Sequence, residues 1–372
     1  MSFFEVHKMN ERRLEWKKIK IDDGAFESAG ILDVNNDGKL DIVCGGYWYE
    51  APDWKKHKVC DVLCEREYYD DFSTIPMDVN GDGYMDVVTG GWFGQSLVWR
   101  ENPKGQPVEW TTHLIEKCSN VETTRGWDVD GDGDLEIVPN MPNAGLYIYK
   151  LIKQGGKGTG QFKKIVVSNE KQGHGLGFGT IGGKRAFILH HGFWEAQGDP
   201  LADPWAWRPE FELGRASIPI LVTDFNKDGL EEIIVGQGHG YGLDWWQQNV
   251  VGGKRTWTKH IIDPLFSQYH DMQWVDIDND GECEIVTGNR FRAHNGNEAG
   301  ETDVVGLYYF KWNGENFTKQ VIDHGKVPFH SGTGIYFSVA DMDGNGWPDI
   351  VAPGKEGLYL FLNMGPETAG KK

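Results

Sequence analysis

A nine-residue acidic motif recurs six times along this chain and constrains its fold more than any other feature. Asp33, Asn35 and Asp37 are followed by Gly38 and Asp41. The same spacing returns at Asp78, Asn80, Asp82, Gly83 and Asp86, and at Asp128, Asp130, Asp132, Gly133 and Glu136. Later copies are Asp224, Asn226, Asp228, Gly229 and Glu232; Asp276, Asp278, Asp280, Gly281 and Glu284; and Asp341, Asp343, Asn345, Gly346 and Asp349. Self-similarity of this kind marks a repeat architecture. Oxygen-bearing side chains at positions 1, 3, 5 and 9, with a glycine at 6 for the sharp turn, suit a hard cation. An apolar, β-rich run flanks each motif on both sides, so the loops join strands. We expect Ca2+, or Mg2+, in most of these loops in a structural role. The alternative is an Asx-rich hairpin turn that needs no metal.

Successive motifs start 45, 50, 96, 52 and 65 residues apart. The longest gap holds two repeats, one with its loop eroded to a plain turn at Gly182 and Gly183 inside residues 173–189. Each repeat reads as four short strands, A to D, and the acidic loop is the A–B turn. Seven such units predict an all-β, seven-bladed propeller. The chain, residues 1–372, reads as one domain with blades at about 25–60, 70–116, 122–168, 173–213, 215–263, 269–323 and 330–363. Residues 14–21 carry the outer-strand pattern of 54–59, 110–115, 257–262 and 317–322. They are expected to complete the last blade, which closes the ring and leaves no sheet edge open.

The formal charge of −19 comes without a basic cluster. That argues against nucleic acid or an anionic membrane as partner. No apolar run is long enough to span a bilayer, and residues 1–8 lack the apolar core of a signal peptide. Cys44, Cys60, Cys64, Cys118 and Cys283 are odd in number and show no metal-ligand spacing. They read as free thiols in a reducing compartment, and a cytoplasmic location is expected.

In a propeller the A–B turns lie on one face, whereas the D-to-A connections and the B–C loops lie on the other. The connections bring Glu27, Asp70, Asp71, Glu122, Arg125, His174, Arg215, His270, Asp271 and His330 to that second face. The B–C loops bring Trp48, Trp92, Asn140, His190, His191, Trp194, His239, Tyr241, Arg290, Arg292 and His294, with long insertions near 194–212 and 289–303 as a rim. Seven of the twelve histidines therefore gather at one mouth. His57, His113 and His260 fall instead on outer strands as surface positions. Imidazoles converging with carboxylates suit a transition metal and acid–base chemistry near neutral pH. The aromatic residues around them suit stacking on a sugar. No Ser–His–Asp spacing, phosphate-cradling loop or dinucleotide fingerprint is present.

The repeats resemble the FG-GAP/VCBS family of β-propellers, which includes adhesion heads, lectin-like modules and enzymes. A narrower resemblance rests on residues 173–179, 238–246, 266–271 and 287–294. These look like bacterial relatives of the propeller domain of aldos-2-ulose dehydratase, also called anhydrofructose dehydratase. Residues 190–194 depart from that pattern. The resemblance implies metal-assisted elimination of water from a keto-sugar, with His174, His239, His270 and His294 at the centre.

The leading expectation is a metal-dependent lyase or dehydratase that performs β-elimination on a keto-sugar or oxidised glycoside. Some of His174, His239, His270 and His294 are the expected ligands of one divalent ion (Zn2+, Mn2+, Ni2+ or Mg2+). Tyr241 or a neighbouring histidine would take the α-proton, and Arg125, Arg215 or Arg292 would hold the developing enolate. Trp92, His191, Trp194, Arg215 and His330 are the expected contacts to a small carbohydrate. One rival is a non-catalytic propeller that binds carbohydrate or protein; another is a polysaccharide lyase acting on uronic acids.

Overall fold

A computed structural model describes residues 13–367 as seven four-stranded antiparallel sheets arranged as the blades of a propeller. The signal-peptide reading of residues 1–8 lies outside the described residues. Six acidic loops join the first and second strands of blades 1, 2, 3, 5, 6 and 7. The N-terminal strand Leu14–Asp22 pairs with Gly357–Pro366, the third strand of blade 7, and so completes that sheet as expected. Among the described residues no helix is long and apolar enough to cross a membrane.

Alternation within the strands explains how the blades stack. In blade 1, Ile42 and Tyr49 point towards Val351 and Leu360 of blade 7, and all four are buried. The opposite side of the same strands packs Val43 and Trp48 against Val87 of blade 2. Such inter-blade layers are the core. Trp48 is therefore a third-strand packing residue, 1% exposed, and not part of a mouth loop. It stacks on His57 of the outer strand, with ring centroids 4.3 Å apart. Trp99 with His113 and Trp245 with His260 repeat the arrangement at 4.2 Å. The outer-strand histidines are thus half-buried stacking partners and not exposed surface positions; the His57 side chain is only 8% exposed.

In the three motifs that end in Asp, the closing acid stitches turns together. Asp41 accepts the Val34 amide inside its own loop (3.0 Å) and the Ala51 amide of the C–D turn (2.8 Å). Asp86 holds Val79 and Asn102 in the same way, and Asp349 holds Met342 and Asn363.

Blade 4 corrects one expectation. Its strands are Gly177–Ile181, Lys184–Leu189, Gly192–Ala196 and Trp205–Arg208. The B–C turn is only residues 190–191, so the 194–212 segment is no mouth insertion; its loop lies between the third and fourth strands. Trp194 sits in the third strand and packs across it on Trp207, centroids 5.2 Å apart. The 289–303 insertion does occupy the mouth, between Glu284–Asn289 and Val305–Trp312 of blade 6.

Candidate metal centre and mouth cavity

Four consecutive blades deliver the central cluster. Glu122 precedes the first strand of blade 3, and His174 precedes that of blade 4. His239 comes from the B–C turn of blade 5. His270 lies in the first strand of blade 6, Tyr269–Val275. One ligand atom from each of Glu122, His174, His239 and His270 lies within 4.8 Å of the others. Two glycines allow the mouth loops to approach closely. Gly173 has φ +70, and a Cβ there would stand 2.3 Å from His190 Cε1. A Cβ on Gly238 would press on His270 Cδ2 at 3.3 Å and on His174 Cε1 at 3.5 Å.

Hydrogen bonds from outside the cluster orient the rings. His174 Nδ1 lies 2.8 Å from the Ala216 carbonyl, which only accepts, so the proton is on Nδ1. His239 Nδ1 lies 3.0 Å from Glu298 Oε2. Both Nε2 atoms therefore bear lone pairs when the rings are neutral, and they face each other at 2.7 Å. Glu122 Oε1 stands 3.5 Å from His174 Nε2 and 3.3 Å from His270 Nε2. His270 is fully buried, and neither of its ring nitrogens has a hydrogen-bond partner among the described residues. Burial holds it neutral, down to about 3, and burial also depresses His239. Burial alone would push Glu122 up, but His174 and His270 outweigh it and hold it well below the usual carboxylate range. An ionised carboxylate amid imidazole lone pairs is a donor set for a divalent transition ion. Outer partners such as the Ala216 carbonyl and Glu298 are what orient such ligands.

His294 lies on the other side of Glu298, with Nδ1 2.8 Å from Oε2. It also lines a cavity of about 390 Å³ walled by Tyr68, Phe72, Trp92 and Phe93, with Glu122 and Arg290 among its polar lining. Arg290 is 3% exposed and grips Glu27 through Nε (2.8 Å) and Nη2 (3.2 Å). Its Nη1 has no partner among the described residues. The blade 6 insertion crosses the mouth to a short hairpin, Cys64–Glu65 with Tyr68–Tyr69. Tyr68 donates to the Ala293 carbonyl, and Arg292 pairs with Glu67.

The structure divides the expected catalytic residues. His174, His239, His270 and His294 come together, and Trp92 faces the same cavity. Arg215 reaches the rim, donating to the His239 carbonyl at 3.1 Å. Arg125 does not present a free guanidinium. It lies inside the channel, pairs with Asp271 at 2.8 Å and donates to the Ile335 carbonyl at 3.2 Å. Arg292 is spent on Glu67. Tyr241 is the first residue of the third strand of blade 5, and its hydroxyl donates to Asp303 at 2.7 Å. That bond raises the phenol's pKa and works against a role as base. His191 packs on Trp207, and His330 pairs with Asp323 at 2.7 Å. Glu298 and the cavity role of Arg290 were not singled out from sequence. The only signal for Glu298 is an acid four residues after His294 within an insertion.

The FG-GAP-like repeat profile matches residues 78–138 and 224–287. This chain carries FG-GAP-like repeats. No curated protein matches the sequence to a significant degree. Solved structures similar to it include an exotype rhamnogalacturonan lyase, YesX, at 10% identity and a TM-score of 0.50. That match covers 94% of this chain and 73% of the lyase. The N-terminal domain of Nup159 matches at 10% identity and a TM-score of 0.49, covering 94% of this chain and 96% of that one. At these identities the likeness to YesX is one of fold alone.

The acidic turns of the FG-GAP-like repeats lie on the face opposite the histidines. In each, the first aspartate accepts turn amides, as Asp33 does from Asp37 (3.1 Å) and Gly38 (2.8 Å). A cleft of about 630 Å³ opens on that face between blades 2 and 3 and is lined by no histidine of the cluster.

Proposed function

We propose that this chain is a metal-dependent carbon–oxygen lyase that performs β-elimination on a keto-sugar or oxidised glycoside bound in the mouth cavity. The observation that carries this reading is the Glu122, His174, His239 and His270 cluster beside a cavity of about 390 Å³ with aromatic walls. That volume suits one sugar ring or two. Glu122, His174, His239 and His270 would hold a divalent ion, which would supply Lewis-acid chemistry for a substrate carbonyl. Trp92 and Tyr68 offer faces for the apolar side of a sugar ring. His294, whose Nδ1 lies 2.8 Å from Glu298 Oε2, is the group proposed to take the proton α to the carbonyl through its other nitrogen. Arg290, locked on Glu27, is the guanidinium fixed at the cavity and suits the developing oxyanion better than Arg125 or Arg292. The resemblance of segments 173–179, 238–246, 266–271 and 287–294 to the dehydratase propeller supports the same residues. A purely binding propeller has no need of three converging imidazoles.

The test is turnover of a panel of 3-keto-glycosides and 2-keto-sugars, followed by appearance of the unsaturated product. We expect activity that needs added divalent ion and falls below detection in His239→Ala and His270→Ala. Equal turnover by wild type and by a double His239→Ala/His270→Ala variant overturns the reading.

A further inference from the structure

Three of the six acidic turns end in Glu rather than Asp: 128–136, 224–232 and 276–284. The Asp-closed turns spend both oxygens of that residue on backbone amides, as described for Asp41, Asp86 and Asp349. The longer Glu side chain allows a different use. Glu136 Oε2 takes the Val129 amide at 2.8 Å, and Glu284 Oε2 takes the Ile277 amide at 3.1 Å. Carboxylate oxygens of Asp128, Asp130 and Glu136 lie within 4.8 Å of one another, as do those of Asp276, Asp278 and Glu284, and those of Asp224, Asp228 and Glu232.

Two of these cages already hold a cation. Lys150 Nζ stands 2.6 Å from Asp130, 2.7 Å from Asp132 and 3.0 Å from Glu136. Lys311 Nζ pairs with Asp278 and Asp280 and stands 3.6 Å from Glu284. The two lysines hold one register position on the third strand. Each follows the residue paired with the isoleucine after the closing Glu, Tyr149 opposite Ile137 and Phe310 opposite Ile285. In blade 5 that pairing is Trp246 opposite Ile233, and the next residue is Gln247, which carries no charge. The loop's own lysine, Lys227, turns away to Glu282. Glu232 is 0% exposed, and neither of its oxygens has a hydrogen-bond partner among the described residues. A buried carboxylate without a partner is costly.

We propose that Lys150 and Lys311 are built-in counter-ions that fill the cages of blades 3 and 6 in place of a metal. The 224–232 cage is then the one of the three that takes a divalent cation. Its donors are all oxygens, from Asp224, Asn226, Asp228 and Glu232, which selects a hard ion of the calcium or magnesium class. A tethered ammonium competes with a free ion at no cost in association entropy, so the lysine cages stay closed to metal. The six repeats are therefore unequal in cation demand despite their common motif.

The experiment is calcium content of the full-length protein after loading and desalting, compared among four proteins: wild type, Glu232→Gln, Lys150→Gln and Lys311→Gln. We expect Glu232→Gln to lose one equivalent, and each lysine variant to gain one. We also expect calcium to raise the melting temperature of wild type more than that of Glu232→Gln. Unchanged calcium in Glu232→Gln overturns the assignment of the blade 5 cage. Folded lysine variants that gain no calcium overturn the counter-ion role. A lysine variant that folds only when calcium is present supports it. The readout lies on the face opposite the histidines, so it stands or falls separately from the lyase reading.

Discussion

His239 Nε2 faces His174 Nε2 across 2.7 Å, and in both rings the outer nitrogen is occupied, by Glu298 for His239 and by the Ala216 carbonyl for His174. Two lone pairs aimed at each other are repulsive unless a positive charge lies between them. Burial opposes protonation of His239, so a metal ion satisfies this geometry better than a proton. Cobalt(II)-loaded protein should then show the visible absorption of a low-coordinate site with nitrogen ligands. His270→Ala should abolish the band, and a band retained at full strength would falsify the assignment of His270 as ligand.

Glu298 should act on the metal through His239. Losing an outer-shell partner of a ligating histidine typically costs about 10–100-fold in affinity. We expect that loss for Glu298→Gln in a competitive zinc titration, with the same stoichiometry as wild type. A change in stoichiometry would make Glu298 a ligand itself.

Much of this was legible in the sequence, for reasons that differ by residue. Motif spacing carried the blade count, and the repeated outer-strand pattern in residues 14–21 carried ring closure. Topology alone then gathered His174, His239, His270 and His294, because lead-in segments and B–C loops share a face whatever their detail. Trp194 failed because nothing in the sequence marked that the third strand of blade 4 begins as early as Gly192. Arg125 failed because its partner Asp271 lies 146 residues away, across the channel. Glu298 sits in an insertion whose path no repeat encodes. Lys150 and Lys311 become visible only with strand register in hand.

Tyr241 should not be the base. Its hydroxyl is held by Asp303 and its side chain is 48% exposed. A general base contributes about 10²–10⁴-fold, and we expect Tyr241→Phe to stay within about twofold of wild-type kcat. A loss of about a hundredfold or more would return Tyr241 to the mechanism.

Arg290 is expected to matter for rate more than for binding. Lysine at this position keeps a charge near Glu27 but loses the second fork of the guanidinium. If Arg290 donates to an oxyanion that develops only in the transition state, Arg290→Lys lowers kcat by about 10²-fold and leaves KM nearly unchanged. The reverse split, with KM raised and kcat kept, would assign it to ground-state binding.

Arg125 has a structural role with a size that can be checked. Removing one partner of a buried ion pair costs about 3–5 kcal/mol, because the other charge is left uncompensated. Arg125→Met should lose about that much in urea unfolding. Asp271 is fully buried, and burial lifts its pKa to about 6. The Arg125→Met/Asp271→Asn double variant should therefore recover part of the loss. If the double variant is no more stable than the single, the pair is not what Arg125 contributes.

Glu356 offers a pH signature outside the metal sites. It is 6% exposed, accepts the Gly332 amide at 2.8 Å and the Ser331 hydroxyl at 3.3 Å, and is pushed up to about 7 mainly by burial, with Glu27 adding to the effect. A carboxyl with a raised folded-state pKa binds its proton more tightly in the folded chain than in the unfolded one. Stability from this group is therefore fully present below the ordinary carboxylate pKa, falls as pH rises towards 7, and is level above that. At 1.36 kcal/mol per pH unit, ionising Glu356 between about pH 5 and pH 8 costs roughly 2–3 kcal/mol. Glu356→Gln cannot ionise, so its stability relative to wild type should improve by that amount over the same range. Urea unfolding of both proteins across that interval measures the difference, and parallel curves would show that Glu356 is already ionised in the folded protein at pH 5.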